Sequence, residues 1–93
     1  MKVELSPQLG HCIETVARER YALLARHLLE AERPDPAAEE ELEILRLFLE
    51  KANFRRLRAE SEPHLAAGRK VSFTVYLSGG RPAWTMSVTQ APG

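Results

Sequence analysis

The stretch that decides the fold of this chain is VSFTVYLSGGRPAWTMSV, residues 71–88. Apolar and small polar side chains alternate on both sides of Gly79-Gly80, a period of two that is typical of a β-hairpin with one buried face. A two-residue loop at the glycines places Val75 opposite Trp84 on that face. The same register aligns Val71 with Val88, Phe73 with Met86 and Leu77 with Pro82. The sequence therefore predicts a two-stranded hairpin over about residues 70–89.

Upstream of the hairpin, the apolar period changes to that of an α-helix. Ser6-Pro7 is typical of a helix start, because a serine cap followed by proline costs the helix no hydrogen bond. Apolar residues then recur at helical spacing as far as Pro34-Asp35-Pro36, where the start signal is repeated. We therefore expect helices over about residues 7–33 and 36–60, packed antiparallel by the tight turn between them.

The expected fold class is α+β, with a long antiparallel helical hairpin followed by a C-terminal two-stranded β-hairpin. The chain has 93 residues, of which 44 % are apolar, so one domain with a modest core is expected. An isolated two-stranded hairpin is marginal in water. Its apolar face is therefore expected to lie on the helices or to join a larger sheet.

Composition argues against several classes of protein. The chain carries 13 basic and 13 acidic residues, and a net charge of zero disfavours nucleic-acid binding, which rests on charge neutralisation. No apolar run approaches the roughly 18 residues of a membrane span, and the first residues lack the apolar core of a signal peptide. A single cysteine excludes an intramolecular disulfide. We therefore expect a cytoplasmic protein that is not embedded in a membrane.

The second predicted helix carries more apolar surface than one helix contact can bury. The first helix can bury the main apolar stripe of the second. Four further apolar residues make the apolar face wider than that of an ordinary surface helix. These residues are Ile44, Leu47, Phe48 and Phe54. Because monomers in water rarely expose such a patch, we expect a homodimer that buries it. The alternatives are that the β-hairpin covers this face in a monomer, or that another protein does.

Two polar side chains on the first predicted helix fall near the middle of its apolar stripe. They are Arg20 and His27, two helical turns apart, and a buried charge must be paired. A contact with another subunit or with a ligand would explain them. The simpler explanation is an arginine stem that reaches solvent and a histidine that is hydrogen-bonded inside the helix pair.

Charge is distributed unevenly along the second predicted helix. Residues 35–50 are strongly acidic and residues 51–58 strongly basic. The basic cluster is a candidate phosphate-binding patch, and it consists of Lys51, Arg55, Arg56 and Arg58. Acid at the start of a helix and base at its end would also complement the helix dipole, and this single cause explains both clusters. Nucleic acid is therefore the alternative partner, not the preferred one.

Cys12 and the histidines are the remaining candidates for chemistry. Cys12 could act as a nucleophile with one of the three histidines as its base. The His-x-x-Glu pairs at His11 and His27 each offer two metal ligands, whereas a site needs a third. No motif names a reaction, so we expect no catalytic residue, no metal and no cofactor.

The preferred interpretation is a non-catalytic protein-interaction module that acts as a homodimer. The first alternative is a nucleic-acid-binding protein that uses the basic cluster of residues 51–58. The second is a small enzyme that uses Cys12 or a histidine. The hairpin can also accept another strand or a peptide at the sheet edge, and Pro82 marks one end of its second strand as an edge.

Overall fold

The structure is a computed structural model that describes residues 1–7 and 12–90. The elements in this part of the chain are, in order, β1 (Lys2–Leu5), α1 (Ile13–Glu30), α2 (Pro36–Lys51), α3 (Phe54–Ala66), β2 (Arg69–Ser78) and β3 (Arg81–Gln90). The fold class is α+β, as predicted. A third strand and a third helix add to the predicted pair of hairpins.

The three strands form one antiparallel sheet with β2 in the centre. The predicted register of the C-terminal hairpin is confirmed, with Val75 opposite Trp84 and Phe73 opposite Met86. Gly79 and Gly80 have φ values of 59° and 77°. Two consecutive residues with positive φ match the right-handed twist of a two-residue hairpin loop, and glycine adopts this conformation without a steric cost.

The N-terminal segment forms a strand, so the prediction that a helix starts at Ser6-Pro7 is wrong. Lys2–Leu5 pairs with β2, with Val3 opposite Phe73, and α1 begins only at Ile13. Val3 and Leu5 alternate with polar residues, a period typical of a half-buried strand, but the segment is short and the helix-start signal of Ser6-Pro7 follows it directly. The strand forms because β2 has a second edge whose backbone groups need partners. Residues 8–11 of the predicted helix lie outside the described residues.

The predicted helix over 36–60 is divided into two, which corrects its single span. α2 ends at Lys51, and Asn53 caps α3 by accepting a hydrogen bond from the backbone N–H of Arg56 at 3.2 Å. The break turns the chain so that the rings of Phe48 and Phe54 meet edge to face, 5.3 Å apart. α3 then runs through Pro63 to Ala66, beyond the expected end.

The hydrophobic core lies between one face of the sheet and the helices. Side chains from all six elements share it, and the central strand contributes Val71, Phe73 and Val75, each fully buried. The opposite face of the sheet carries polar side chains such as Thr74 and Thr85, which are exposed. The apolar face of the hairpin thus lies on the helices, as half-buried strands require.

Candidate interaction surface

The outer edge of β3 presents backbone groups that no strand in the described part of the chain pairs with. The N–H of Val75 donates to the carbonyl of Met1 at 2.7 Å, and the nitrogen of Met1 donates to the carbonyl of Val75 at 2.8 Å. The backbone groups of Val75 therefore point towards β1 and away from its partner Trp84. Because this direction alternates along paired strands, Trp84, Met86 and Val88 present their N–H and C=O groups to the open side of β3.

The core is incompletely covered along this edge. The β2 residues opposite Trp84, Met86 and Val88 are fully buried. On β3 itself, Trp84 and Val88 are half-buried and Met86 is 39 % exposed. All three side chains lie on the core face of the sheet, because they are paired with the buried residues of β2. An apolar strip therefore runs beside the open backbone groups of β3.

The composition of this edge favours pairing with another strand. Residues 82–90, PAWTMSVTQ, contain no charged side chain and are rich in β-branched and aromatic residues. Sheet edges are commonly protected by charge, by proline or by a bulge. Here Pro82 protects only one end. We refer to the outer side of residues 82–90 as the β3 edge.

The other edge of the sheet is protected. β1 is short and carries Lys2 and Glu4, whose charged side chains disfavour pairing with a further strand. α1 lies alongside it, where Val16 and Arg20 share a cavity with the β1 residues. Of the two sheet edges in residues 1–7 and 12–90, the β3 edge is therefore the one suited to strand addition.

The residues of the expected homodimer interface, on α2 and at the start of α3, lie mostly inside the protein. Ile44 is 8 % exposed and Phe48 is fully buried. Leu47 and Phe54 are half-buried, with Phe54 against Phe48. The sheet and α3 thus cover most of the apolar surface from which the interface was predicted. The homodimer itself stays a prediction.

Arg20 and His27 are exposed and join α1 to α2. Arg20 forms an ion pair with Glu41 at 3.2 Å, and His27 Nε2 lies 2.8 Å from a carboxylate oxygen of Asp35. Arg20 thus reaches solvent, as in the simpler explanation, whereas the side chain of His27 is 56 % exposed and is not enclosed within the helix pair. The hydrogen bond from His27 holds the pKa of Asp35 below its ordinary value, and the hydrogen bond from the N–H of Ala38 has a smaller effect in the same direction.

The four residues of the basic cluster do not share one helix. Lys51 ends α2, and the three arginines lie in the first turns of α3. A helix N-terminus disfavours positive charge, so the dipole does not explain the arginines as expected. Arg56 and Arg58 are each paired with a glutamate one turn later, at 3.1 Å. These pairs leave less positive charge for phosphate than the sequence suggests.

Cys12 lies just before α1 and lines a cavity of about 230 Å³ with Phe54, Arg55 and Arg58. Hydrogen bonds from the side chain and the backbone of Thr15, together with the positive charge of Arg58, lower the pKa of the thiol below its ordinary value. The described histidines, at positions 27 and 64, do not line this cavity, and His11 lies outside the described residues. Among the described residues, the geometry therefore gives a thiol with a lowered pKa and places no histidine in the lining of its cavity.

No group of three or more candidate ligands for a metal ion occurs in the described residues. None of their helices is long and apolar enough to cross a membrane. The remaining described histidine is His64, whose Nδ1 accepts a hydrogen bond from the guanidinium of Arg69 at 3.2 Å.

Comparisons with known proteins give a family match and a relative. A family model matches residues 1–86. An uncharacterised protein of Archaeoglobus fulgidus is 49 % identical over 51 residues, which cover 53 % of this chain and 60 % of the relative. The chain thus spans about 60 % of the length of the relative that it matches. No solved structure matches the chain.

Proposed function

This chain belongs to the family whose model spans residues 1–86, a match that includes β1 and extends to Met86 of β3, and we propose a function that uses this whole fold. We propose that the protein is a non-catalytic protein-interaction module that acts as a homodimer. The two copies associate by strand addition at the β3 edge.

The observation that carries the proposal is the uncharged, open β3 edge beside half-covered apolar side chains. A second strand would satisfy the outward backbone groups of Trp84, Met86 and Val88. Each hydrogen bond gained in this way contributes a net of about 0.5–1.5 kcal/mol. The same strand would remove part of the Met86 and Trp84 side chains from water. This burial stabilises the dimer by about 25 cal/mol for each Å² of apolar surface covered. Twofold association is the commonest arrangement of soluble oligomers.

We place this association in the cytoplasm. The single thiol of Cys12 and the absence of any second cysteine in the sequence are typical of a reducing compartment.

The experiment is sedimentation equilibrium of the wild type and of Met86→Lys at tens of micromolar. The wild type is expected at twice the chain mass of 10.5 kDa. Met86→Lys is expected at the chain mass, because lysine on an edge strand opposes strand addition while its stem reaches solvent. The matched control is Tyr76→Lys, which adds the same charge to the exposed face of the central strand and is expected to remain dimeric.

Two results would contradict the proposal. A folded wild type at the chain mass would exclude the homodimer. If Leu47→Glu dissociated the dimer and Met86→Lys did not, the interface would lie on α2, as the sequence first suggested. Circular dichroism of each variant establishes that it is folded before its mass is compared.

A further inference from the structure

The β3 edge specifies how the second copy is placed. We infer that the β3 strands of the two copies pair antiparallel, with Met86 of each copy opposite Met86 of the other on the twofold axis. The two sheets then form one continuous six-stranded sheet. This inference rests on the proposed function, because it describes the interface of the proposed homodimer.

The direction of pairing and the set of allowed registers follow from symmetry and backbone geometry. A twofold axis perpendicular to a sheet relates two edge strands that run antiparallel. In such a pair, the outward backbone groups of one β3 strand bond to the outward backbone groups of the other. On β3 these groups belong to the even-numbered residues from Pro82 to Gln90. An axis through any residue of β3 meets this condition, and the axes through Thr85, Met86 and Ser87 keep the longest part of the β3 edge paired.

Pro82 disfavours the axis through Thr85. That register places Pro82 opposite Val88 of the second copy, inside the ladder. Since proline has no N–H, the carbonyl of Val88 would lack a donor in both copies. With the axis through Met86, Pro82 moves to the end of the ladder, opposite Gln90, and its carbonyl still accepts a hydrogen bond there.

Side-chain matching separates the axis through Met86 from the axis through Ser87. Centred on Met86, the pairing sets Trp84 opposite Val88 in both halves of the interface, so every central pair on the core face is apolar. Centred on Ser87, it sets Trp84 opposite the polar Gln90. On the other face, the Met86 register sets Thr85 opposite Ser87, two hydroxyl side chains without charge repulsion.

Met86 is suited to a position on the axis. Its side chain is 39 % exposed on the core face, so a second copy can approach it. The thioether is unbranched and adapts to irregular gaps, which allows two copies to pack side by side. The pairing covers this side chain and the half-buried Trp84 together.

The test is a cysteine scan across the candidate axes, in a Cys12→Ser background. Three variants, Thr85→Cys, Met86→Cys and Ser87→Cys, are oxidised with diamide, and the disulfide-linked dimer is measured over time without reductant. Only a residue on the axis faces itself, with its Cα atoms about 4.5–5.5 Å apart, within the range that a disulfide spans. Met86→Cys is expected to cross-link about tenfold faster than the variants on either side, whose self-pairs are diagonal and more distant.

The outcomes separate the register from the proposed function. Fastest cross-linking at Thr85→Cys or Ser87→Cys would overturn the register and keep the homodimer. Slow cross-linking at all three positions in a protein that sediments as a dimer would place the interface elsewhere. A wild type that sediments as a monomer would overturn the proposed function itself.

Hydrogen exchange of the unmodified protein gives an independent measurement. In the proposed dimer, the outward amides of Trp84, Met86 and Val88 are protected, as are the inward amides that pair with β2. In Met86→Lys only the outward amides are expected to exchange rapidly, while those of Ala83 and Thr85 remain slow. Equal rates for the outward amides in the wild type and in Met86→Lys would overturn the inferred pairing.

Discussion

Phe48 and Trp84 meet edge to face, with ring centroids 5.5 Å apart and ring planes inclined by 75°. Phe48 is fully buried in α2, and Trp84 is half-buried in the edge strand. This geometry is favourable for two aromatic rings and contributes about 0.5–1.5 kcal/mol beyond the buried area. This contact therefore holds β3 against α2.

Replacement of this indole should destabilise the protein measurably. Trp84→Ala is expected to lower the free energy of unfolding by about 2–4 kcal/mol, somewhat less than for a fully buried tryptophan because part of the ring is exposed. Urea denaturation at one fixed protein concentration measures the loss. Thr85→Ala, on the exposed face of the same strand, is the control and should change the free energy by less than about 1 kcal/mol. Fully solvent-exposed tryptophan emission from the native wild type would contradict this packing.

The break between α2 and α3 depends on the cap at Asn53. Asn53→Ala should lower the free energy of unfolding by about 1 kcal/mol, because the N–H of Arg56 loses its acceptor. Asn53→Asp keeps an acceptor at the same place and should stay close to the wild type. Thermal or urea unfolding of the two variants checks the difference. Equal stability of Asn53→Ala and the wild type would show that the cap does not stabilise α3.

Asp35 should make stability depend on pH in the acid range. Its hydrogen bond with His27, and then that from the N–H of Ala38, lower its pKa in the folded protein. A group with a lowered folded pKa contributes stability above its unfolded pKa of about 3.9, and that contribution is lost as the pH falls through the folded pKa. Asp35→Asn should therefore flatten the decline of the melting temperature below about pH 4. Glu32→Gln, which removes an exposed acid in the same loop, should leave the decline unchanged.

Cys12 should react faster than an ordinary thiol near neutral pH. Thr15 and Arg58 lower its pKa, so a larger fraction is thiolate, which is the reactive form. The rate of alkylation by iodoacetamide against pH should show a midpoint below that of a free cysteine, about 8.5. Arg58→Gln should move the midpoint upwards. Arg56→Gln, on the same helix but outside the cavity of Cys12, should not, and an equal shift in both variants would argue against a local effect of Arg58.

The hairpin and the start of α2 could be predicted because their signals are local. The register of β2 and β3 follows from alternation on both sides of two glycines, and its pairs are adjacent in space through a short turn. Asp35 followed by Pro36 starts α2 as predicted, with the side chain accepting from Ala38 N at 3.1 Å. In both cases a few neighbouring residues satisfy the backbone groups of the element, so the sequence pattern is sufficient.

The pairing of β1 with β2 and the start of α3 could not be predicted from local patterns. Val3 pairs with Phe73, seventy residues later, and nothing beside Val3 in sequence shows that β2 has an edge left to fill. The stretch around Asn53 keeps a helical period, so the break at that residue is visible only once Phe54 is seen to turn back onto Phe48. Tertiary contacts decide such positions because they outweigh helix propensity.

At the candidate site, the sequence by itself determined that residues 82–90 carry no charge. The alternation and Pro82 also determined which of these residues direct their backbone groups outwards. Only the tertiary structure decided that this strand lies at the open edge, because β1 occupies the other side of β2 through the bonds between Met1 and Val75. It also decided that Phe48 is buried under Trp84 and is not left for a partner. The physical reason is that exposure depends on which surfaces of distant segments meet, whereas side-chain alternation depends only on neighbouring residues.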